Sequence, residues 1–188
     1  MWLIDPDGNN LQQLTKSGSR NVTRSVWSPD SQKLAIFYAD EGACILDIAS
    51  GLQNPLPALK NTDELFNVWS WSRDGKWIAG FRRVKTSNVV KGVTLYSIDR
   101  REYTDLTDTG IEPTWLNDNR RLLFGNGDKV SIVDRVGKRV RDVIAPTANI
   151  VNSLGQLSGD NRFVFFSVIE PEADIWLIDL DGSRNRTR

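Results

Sequence analysis

The strongest constraint on this chain is an internal period. The string WLIDPDG at Trp2–Gly8 returns as WLIDLDG at Trp176–Gly182, 174 residues later and with one letter changed. A second string marks out the interval: WSPDSQKLAIF begins at Trp27, WSRDGKWIAGF at Trp71, WLNDNRRLLFG at Trp115 and the weaker LSGDNRFVFFS at Leu157. These starts lie 44, 44 and 42 residues apart, and a quarter of 174 is 43.5, so both strings obey one period. Between them, CILDIASG from Cys44, TLYSIDRR from Thr94 and VSIVDRVG from Val130 each run from apolar residues through an Asp into a turn. About four units of this length mean either propeller blades or a helical array.

The local grammar within a unit chooses between them. Apolar stretches are five to seven residues long, rich in Ile, Val, Phe and Leu, and bounded by Pro-Asp-Ser, Glu-Gly or Ser-Gly-Leu-Gln-Asn-Pro. Such pieces are too short for helices and are punctuated as strands are. In the first full unit the strands are expected near 21–27, 33–39, 43–48 and 52–59. The fold class is therefore all-β, a β-propeller of about four four-stranded blades.

The recurring residues then acquire physical tasks. Asp30, Asp74, Asp118 and Asp160 each head a tight hairpin turn between the first two strands of a unit, followed by Ser31, Gly75, Asn119 or Asn161. A hairpin there favours residues that tolerate positive φ or hydrogen-bond their own backbone. Trp27, Trp71 and Trp115, with Leu157 in the same slot of the last unit, are expected to fill the wedge between neighbouring blades. Runs such as Leu34–Phe37 and Phe163–Phe166 are apolar on both faces, as a strand sandwiched between sheets must be.

Trp-Ser-Pro-Asp-x-x-x-Leu-Ala-x-Phe, then an apolar strand ending in Asp and a Gly turn, then Leu-Thr (Leu14-Thr15, Leu106-Thr107), resembles the bacterial PD40 or TolB-type, WD40-like propeller repeat. The last unit departs from that pattern, with Leu157 for Trp and Gly159 for Pro. The resemblance implies a propeller, a role in binding a protein partner, a periplasmic or otherwise extracytoplasmic setting, and a ring of six or seven blades. It supplies no catalytic residues to transfer. The chain divides into a partial blade at 1–16, blades at 17–60, 61–108 and 109–146, and an incomplete blade at 147–188. If both WLID strings are third strands, one copy is surplus to a closed four-bladed ring. The expectation is thus an open portion of a longer ring, whose exposed edges favour self-association.

Composition narrows the chemistry. Twenty-four basic and twenty-four acidic residues give zero net charge, which argues against a nucleic-acid footprint. No run of eighteen apolar residues and no signal-like start is present, so membrane insertion and an evident signal peptide are not expected. The single Cys44 lies in an apolar strand and is read as a small buried residue. There is no histidine, which removes a Ser-His-Asp triad, a Cys-His pair and an ordinary zinc site. Gly-x-Ser-x-Gly, phosphate-loop and dinucleotide fingerprints are missing too, so no cofactor is expected. DPDG at Asp5–Gly8 and DLDG at Asp179–Gly182 lack the spacing of a calcium loop and read as turns, and SRDGKW at Ser72–Trp77 reads as the repeat hairpin, so no metal is expected. The resulting expectation is a non-enzymatic propeller scaffold for protein–protein interaction within a larger bacterial protein. The alternatives are the non-catalytic propeller of a prolyl-oligopeptidase-like peptidase and the sensor propeller of a bacterial kinase or transcription regulator.

One segment stands out as a candidate partner-binding element. The 61–108 unit is longer than its neighbours between its second and third strands, and the excess, expected as a loop over 82–92, holds Arg82, Arg83, Lys85 and Lys91 with no acid from Gly75 to Ile98. A basic loop would attract an acidic partner, whereas a solvated hairpin extension would look the same in sequence.

Overall fold

A computed structural model describes residues 1–15, 21–144 and 150–169. All its regular elements are strands, and the repeat boundaries explain their order. β1 (Trp2–Leu3) and β2 (Gln12–Gln13) form a two-stranded hairpin. The first complete blade is β3 (Val22–Trp27), β4 (Lys33–Tyr38), β5 (Gly42–Asp47) and β6 (Gln53–Pro55). The second is β7 (Glu64–Trp71), β8 (Trp77–Val84), β9 (Val90–Ser97) and β10 (Glu102–Asp105). The third is β11 (Ile111–Trp115), β12 (Arg121–Asn126), β13 (Lys129–Asp134) and β14 (Val140–Ile144). β15 (Ile150–Leu157) and β16 (Val164–Ile169) make a final pair. Every sheet is an antiparallel meander in chain order. The second WLID string lies outside the described residues.

The hairpin turn of each unit is built by its repeated Asp. Ser28 donates its hydroxyl to Asp30 Oδ1 at 2.6 Å and accepts the Lys33 amide at 2.9 Å, and Asp30 also accepts the Gln32 amide. Ser72 with Asp74 and Ser158 with Asp160 repeat that arrangement at 2.6 Å. Ser31, Gly75, Asn119 and Asn161 follow with φ between +53° and +73°, which explains the preference for Gly and Asn there. In the third blade Leu116 replaces the serine, and the neighbouring Asn117 donates its side-chain amide across the seam to the Gly159 carbonyl at 2.7 Å. Asn119 Oδ1 accepts the Asp74 amide at 3.1 Å, and Asn161 Oδ1 accepts the Asn117 amide at 2.5 Å. Each of these two turns is thereby latched to the turn of the blade before it.

The core lies between blades. Leu34 to Tyr38 of β4 are buried on both faces, as are Leu122 to Gly125 of β12, because each second strand has a sheet on either side. Phe37, Leu65, Phe66, Val68 and Ile78 fill the seam between the first and second complete blades. Ala79, Val93, Leu95, Leu122, Phe124 and Val133 fill the next. Each large side chain so buried contributes about 1.5–3 kcal/mol relative to exposure. Trp115 is 7% exposed within its seam and Trp71 packs half-buried in its own, as the wedge reading expects, and Leu157 packs beside Leu123 and Ile132. Trp27 departs from it at 46% exposure. The β1–β2 hairpin covers the outer part of the first blade through Leu14 and Leu3, and no described strand lies over Trp27.

Candidate functional site at the bulged inner strands

The first strand of each blade lies at the inner edge. β7 packs on β3, β4 and β5, β11 on β7, β8 and β9, and β15 on β11, β12 and β13, so the first strands sit side by side around one axis. Each of them carries a β-bulge. Thr23 is the extra residue in β3, Trp69 in β7 and Asn152 in β15, while Glu112 and Pro113 share the irregularity in β11. A bulge frees one residue from the ladder and re-aims its side chain, which is why bulges collect beside functional sites.

These bulges gather a charged cluster. The Arg24 guanidinium carbon lies 3.1 Å from the centroid of the Trp69 ring, and Phe81 supports that ring at 6.0 Å. Burial pushes the Arg24 guanidinium below its usual value, and the charge of Glu112 opposes that fall. An arginine remains charged under such shifts, so the site holds a fixed, partly desolvated cation on an aromatic face. Glu112 has φ +57°, a strained backbone for a side chain of that kind. Across the same seam, Ser70 donates to the Pro113 carbonyl at 2.5 Å. On the other side of β3 an open cleft of about 1,030 Å³ runs between β3 and the β1–β2 hairpin, lined by Thr15, Thr23, Arg24, Ser25 and Gln53 among others.

The basic segment proposed from sequence is organised differently. Its extra length is absorbed by the eight-residue strands β8 and β9, with only a short turn over 85–89. Arg82 pairs with the buried Glu64 at 2.8 Å and with Asp105 at 3.0 Å. Arg83 donates to the Ala39 carbonyl at 3.0 Å and to Asn88, and its guanidinium carbon stands 5.5 Å from the Phe37 ring centroid. Lys85 donates to the Thr62 carbonyl at 2.5 Å. Lys91 is exposed. Three of these four cations are therefore engaged within the fold. Trp27, Asp30, Trp71, Asp74, Trp115, Asp118, Leu157 and Asp160 serve turns and seams, apart from the uncovered Trp27.

Arg24, Trp69 and Glu112 were not legible as a site. Each stands two or three places before the repeat tryptophan or its equivalent, where a seam-facing strand would otherwise place apolar residues. That departure is the signal available, but bulges shift the three residues relative to one another, so no common column aligns them.

No family model and no curated protein matches the chain. Among solved structures, the chain is similar to an oligogalacturonate lyase from Vibrio parahaemolyticus, with a TM-score of 0.66 and 13% identity over 80% of this chain and 47% of that one. It is also similar to an oligogalacturonate lyase in complex with manganese, with a TM-score of 0.71 and 15% identity over 88% of this chain and 51% of that one. The chain thus spans about half the length of these structures. At this identity the likeness establishes the fold. It also corrects the expectation of a non-enzymatic scaffold, because both of these proteins sharing the blade arrangement are enzymes. The missing histidine rules out particular nucleophile–base pairs, whereas an elimination needs a proton acceptor and a cation opposite developing charge, which other side chains supply. The manganese in one neighbour has no counterpart fit here, since the described residues contain no group of three or more His, Cys, Asp or Glu able to hold a metal.

Proposed function

We propose that this chain contributes inner strands to a propeller enzyme acting on acidic oligosaccharides of the uronate type. The observation that carries the reading is the Arg24 guanidinium, held against Trp69 at the inner edge and beside a strained Glu112. Uronate sugars present a carboxylate on each ring, and a fixed guanidinium matches that group bidentately. In an elimination, the proton beside the carboxylate leaves to a base, its electron pair forms the carbon–carbon double bond, and the bond to the departing sugar oxygen breaks as that oxygen takes a proton. Negative charge gathers on the carboxylate during this step. Arg24 is assigned to hold and neutralise it, which is the kind of interaction that strengthens in the transition state. The two lyase structures of the same fold support this substrate class. We further propose that the repeats are of the PD40 or TolB type, on the strength of the Ser-x-Asp turns described above.

Titration of the chain with trigalacturonate, followed by calorimetry and by absorbance of an unsaturated uronate product, tests the reading. Binding by the parent chain and its loss by tenfold or more in Arg24→Ala, with partial retention in Arg24→Lys, is expected. Equal affinity of parent and Arg24→Ala, or no binding of any uronate oligomer, overturns it.

A further inference from the structure

The two seams between complete blades are built from the same repeat positions but are finished differently. Lys33, Trp77 and Arg121 are equivalent, each standing at the start of a second strand opposite Asp47, Ser97 or Asp134. In the seam between the second and third complete blades, Trp77 packs against the cluster that holds Trp115, which is left 7% exposed, and the Arg135 guanidinium carbon stands 5.0 Å from the Trp77 ring centroid. In the seam between the first and second, the corresponding residue is the exposed Lys33, and Trp71 stays half-buried. The place that an indole fills in one seam is a cleft of about 290 Å³ in the other. Both walls of that cleft belong to complete blades.

Ile45, Leu56 and Ile98 give the cleft apolar walls and Trp71 an aromatic one, while Tyr96 and Arg101 supply its polar end. Tyr96 stands where the other two blades bury Leu46 and Val133 completely, and it is itself only 3% exposed. Among the described residues nothing hydrogen-bonds its hydroxyl. Burial pushes that phenol above its usual value and the Arg101 charge opposes the rise, so the guanidinium acts on the hydroxyl, which stays protonated and able to donate. Arg101 forms no ion pair among the described residues. Its φ of +57° occupies the turn position that the first blade gives to Gly51 at +69°, a conformation costly for a side chain. Asp30 also lines the cleft, but its carboxylate is taken by the Ser28 hydroxyl and the Gln32 amide, and Lys33 faces its charge. A buried hydroxyl without a partner and a guanidinium without an acid together call for an anion.

We propose that this cleft binds a small aromatic monocarboxylate, its ring against Trp71 in the place that Trp77 takes in the next seam, its carboxylate on the Tyr96 hydroxyl and the Arg101 guanidinium. The volume is at the lower end of ligand-sized pockets and suits a single ring with a short acid arm. None of the residues assigned to uronate binding takes part.

Calorimetric titration with hydrocinnamate tests the assignment. The parent chain is expected to bind it, and phenylpropylamine, with the same ring and the opposite charge, is expected not to compete. Tyr96→Phe keeps the ring and Arg101→Gly restores the turn residue of the first blade, so both are expected to fold and to lose affinity about tenfold or more. Lys33→Trp transfers the plug of the next seam into the cleft and is expected to abolish binding while keeping the β-type circular dichroism. Arg24→Ala is expected to bind hydrocinnamate as the parent does. A parent chain that gives no binding heat at about 10 mM hydrocinnamate, equal affinity in Tyr96→Phe and Arg101→Gly, competition by the amine, unaltered binding by a folded Lys33→Trp, or loss in Arg24→Ala would each overturn the site.

Discussion

Replacing Gly92 by alanine separates two costs that usually travel together. Gly92 has φ +87°, where a side chain is strained, and a Cβ built there falls 2.1 Å from the Thr107 carbonyl oxygen and 2.6 Å from the Asp108 carbonyl carbon. Both obstacles are backbone, and they are held by the Leu106 amide on the Val93 carbonyl at 2.9 Å and the Val93 amide on Thr107 Oγ1 at 2.9 Å. An ordinary contact begins near 3.4 Å, so β9 and the 106–108 segment must part by more than 1 Å. The left-handed backbone costs about 1–2 kcal/mol and the forced overpacking about 1–3 kcal/mol more, or roughly 2–5 kcal/mol together. For a chain of this length that is a fall of roughly 4–20 °C in melting temperature. Gly127 provides the control, because at φ +66° its added Cβ meets nothing within 4 Å, leaving the backbone term alone. Urea unfolding of Gly92→Ala and Gly127→Ala side by side measures the difference. If the two variants lose equal stability, the close approach of β9 to Thr107 does not constrain the fold and the reasoning fails.

Asn119→Ala removes the latch on the Asp74 amide and is expected to cost about 0.5–1.5 kcal/mol, with faster hydrogen exchange at that amide as the local signature. Arg82→Met leaves Glu64, whose side chain is 7% exposed, without its cation; urea unfolding should show a loss of about 3–5 kcal/mol, against at most about 1 kcal/mol for Asp105→Asn at a 50% exposed partner. Asp134 is pushed down to about 2 by the Arg120 side chain, then by the Val136 and Gly137 amides. Its folded value lies below its unfolded one, so its contribution is full above about pH 4 and fades as pH falls toward 2. Acid titration of the parent chain should therefore show a loss in that window that Asp134→Asn lacks, and identical acid profiles would count against the pairing.

The period, the strand grammar and the Asp turns were legible because they repeat, and repetition averages out the accidents of any one unit. The first three strands expected in the first full unit agree closely with β3 to β5, whereas the fourth, expected over 52–59, is only Gln53–Pro55, and Ser31, Gly75, Asn119 and Asn161 all adopt the positive φ that their turn requires. Arg82 misled because a run of cations without nearby acids in sequence reads as solvated, while its acids come from β7 and β10 across the sheet. Arg24 and Trp69 were hidden by the opposite effect: their pairing depends on bulges, and a bulge is a matter of register that composition does not reveal. The expectation of a scaffold without activity rested on the missing histidine, which excludes only those nucleophile–base pairs and metal sites that need one.

A bulged inner strand also changes which positions are free to vary. A residue set out of the ladder makes no cross-strand pair, so its side chain can be exchanged without disturbing the register of the blade behind it. Each blade here offers such a place, filled by Thr23 in one, Trp69 in another and Glu112 with Pro113 in a third. The seams demand similar apolar volume from unit to unit, whereas these inner places already hold a hydroxyl, an indole and a carboxylate on one scaffold. Selection on what the ring binds can therefore act through a single residue per blade while the rest of the repeat continues to be selected for folding alone.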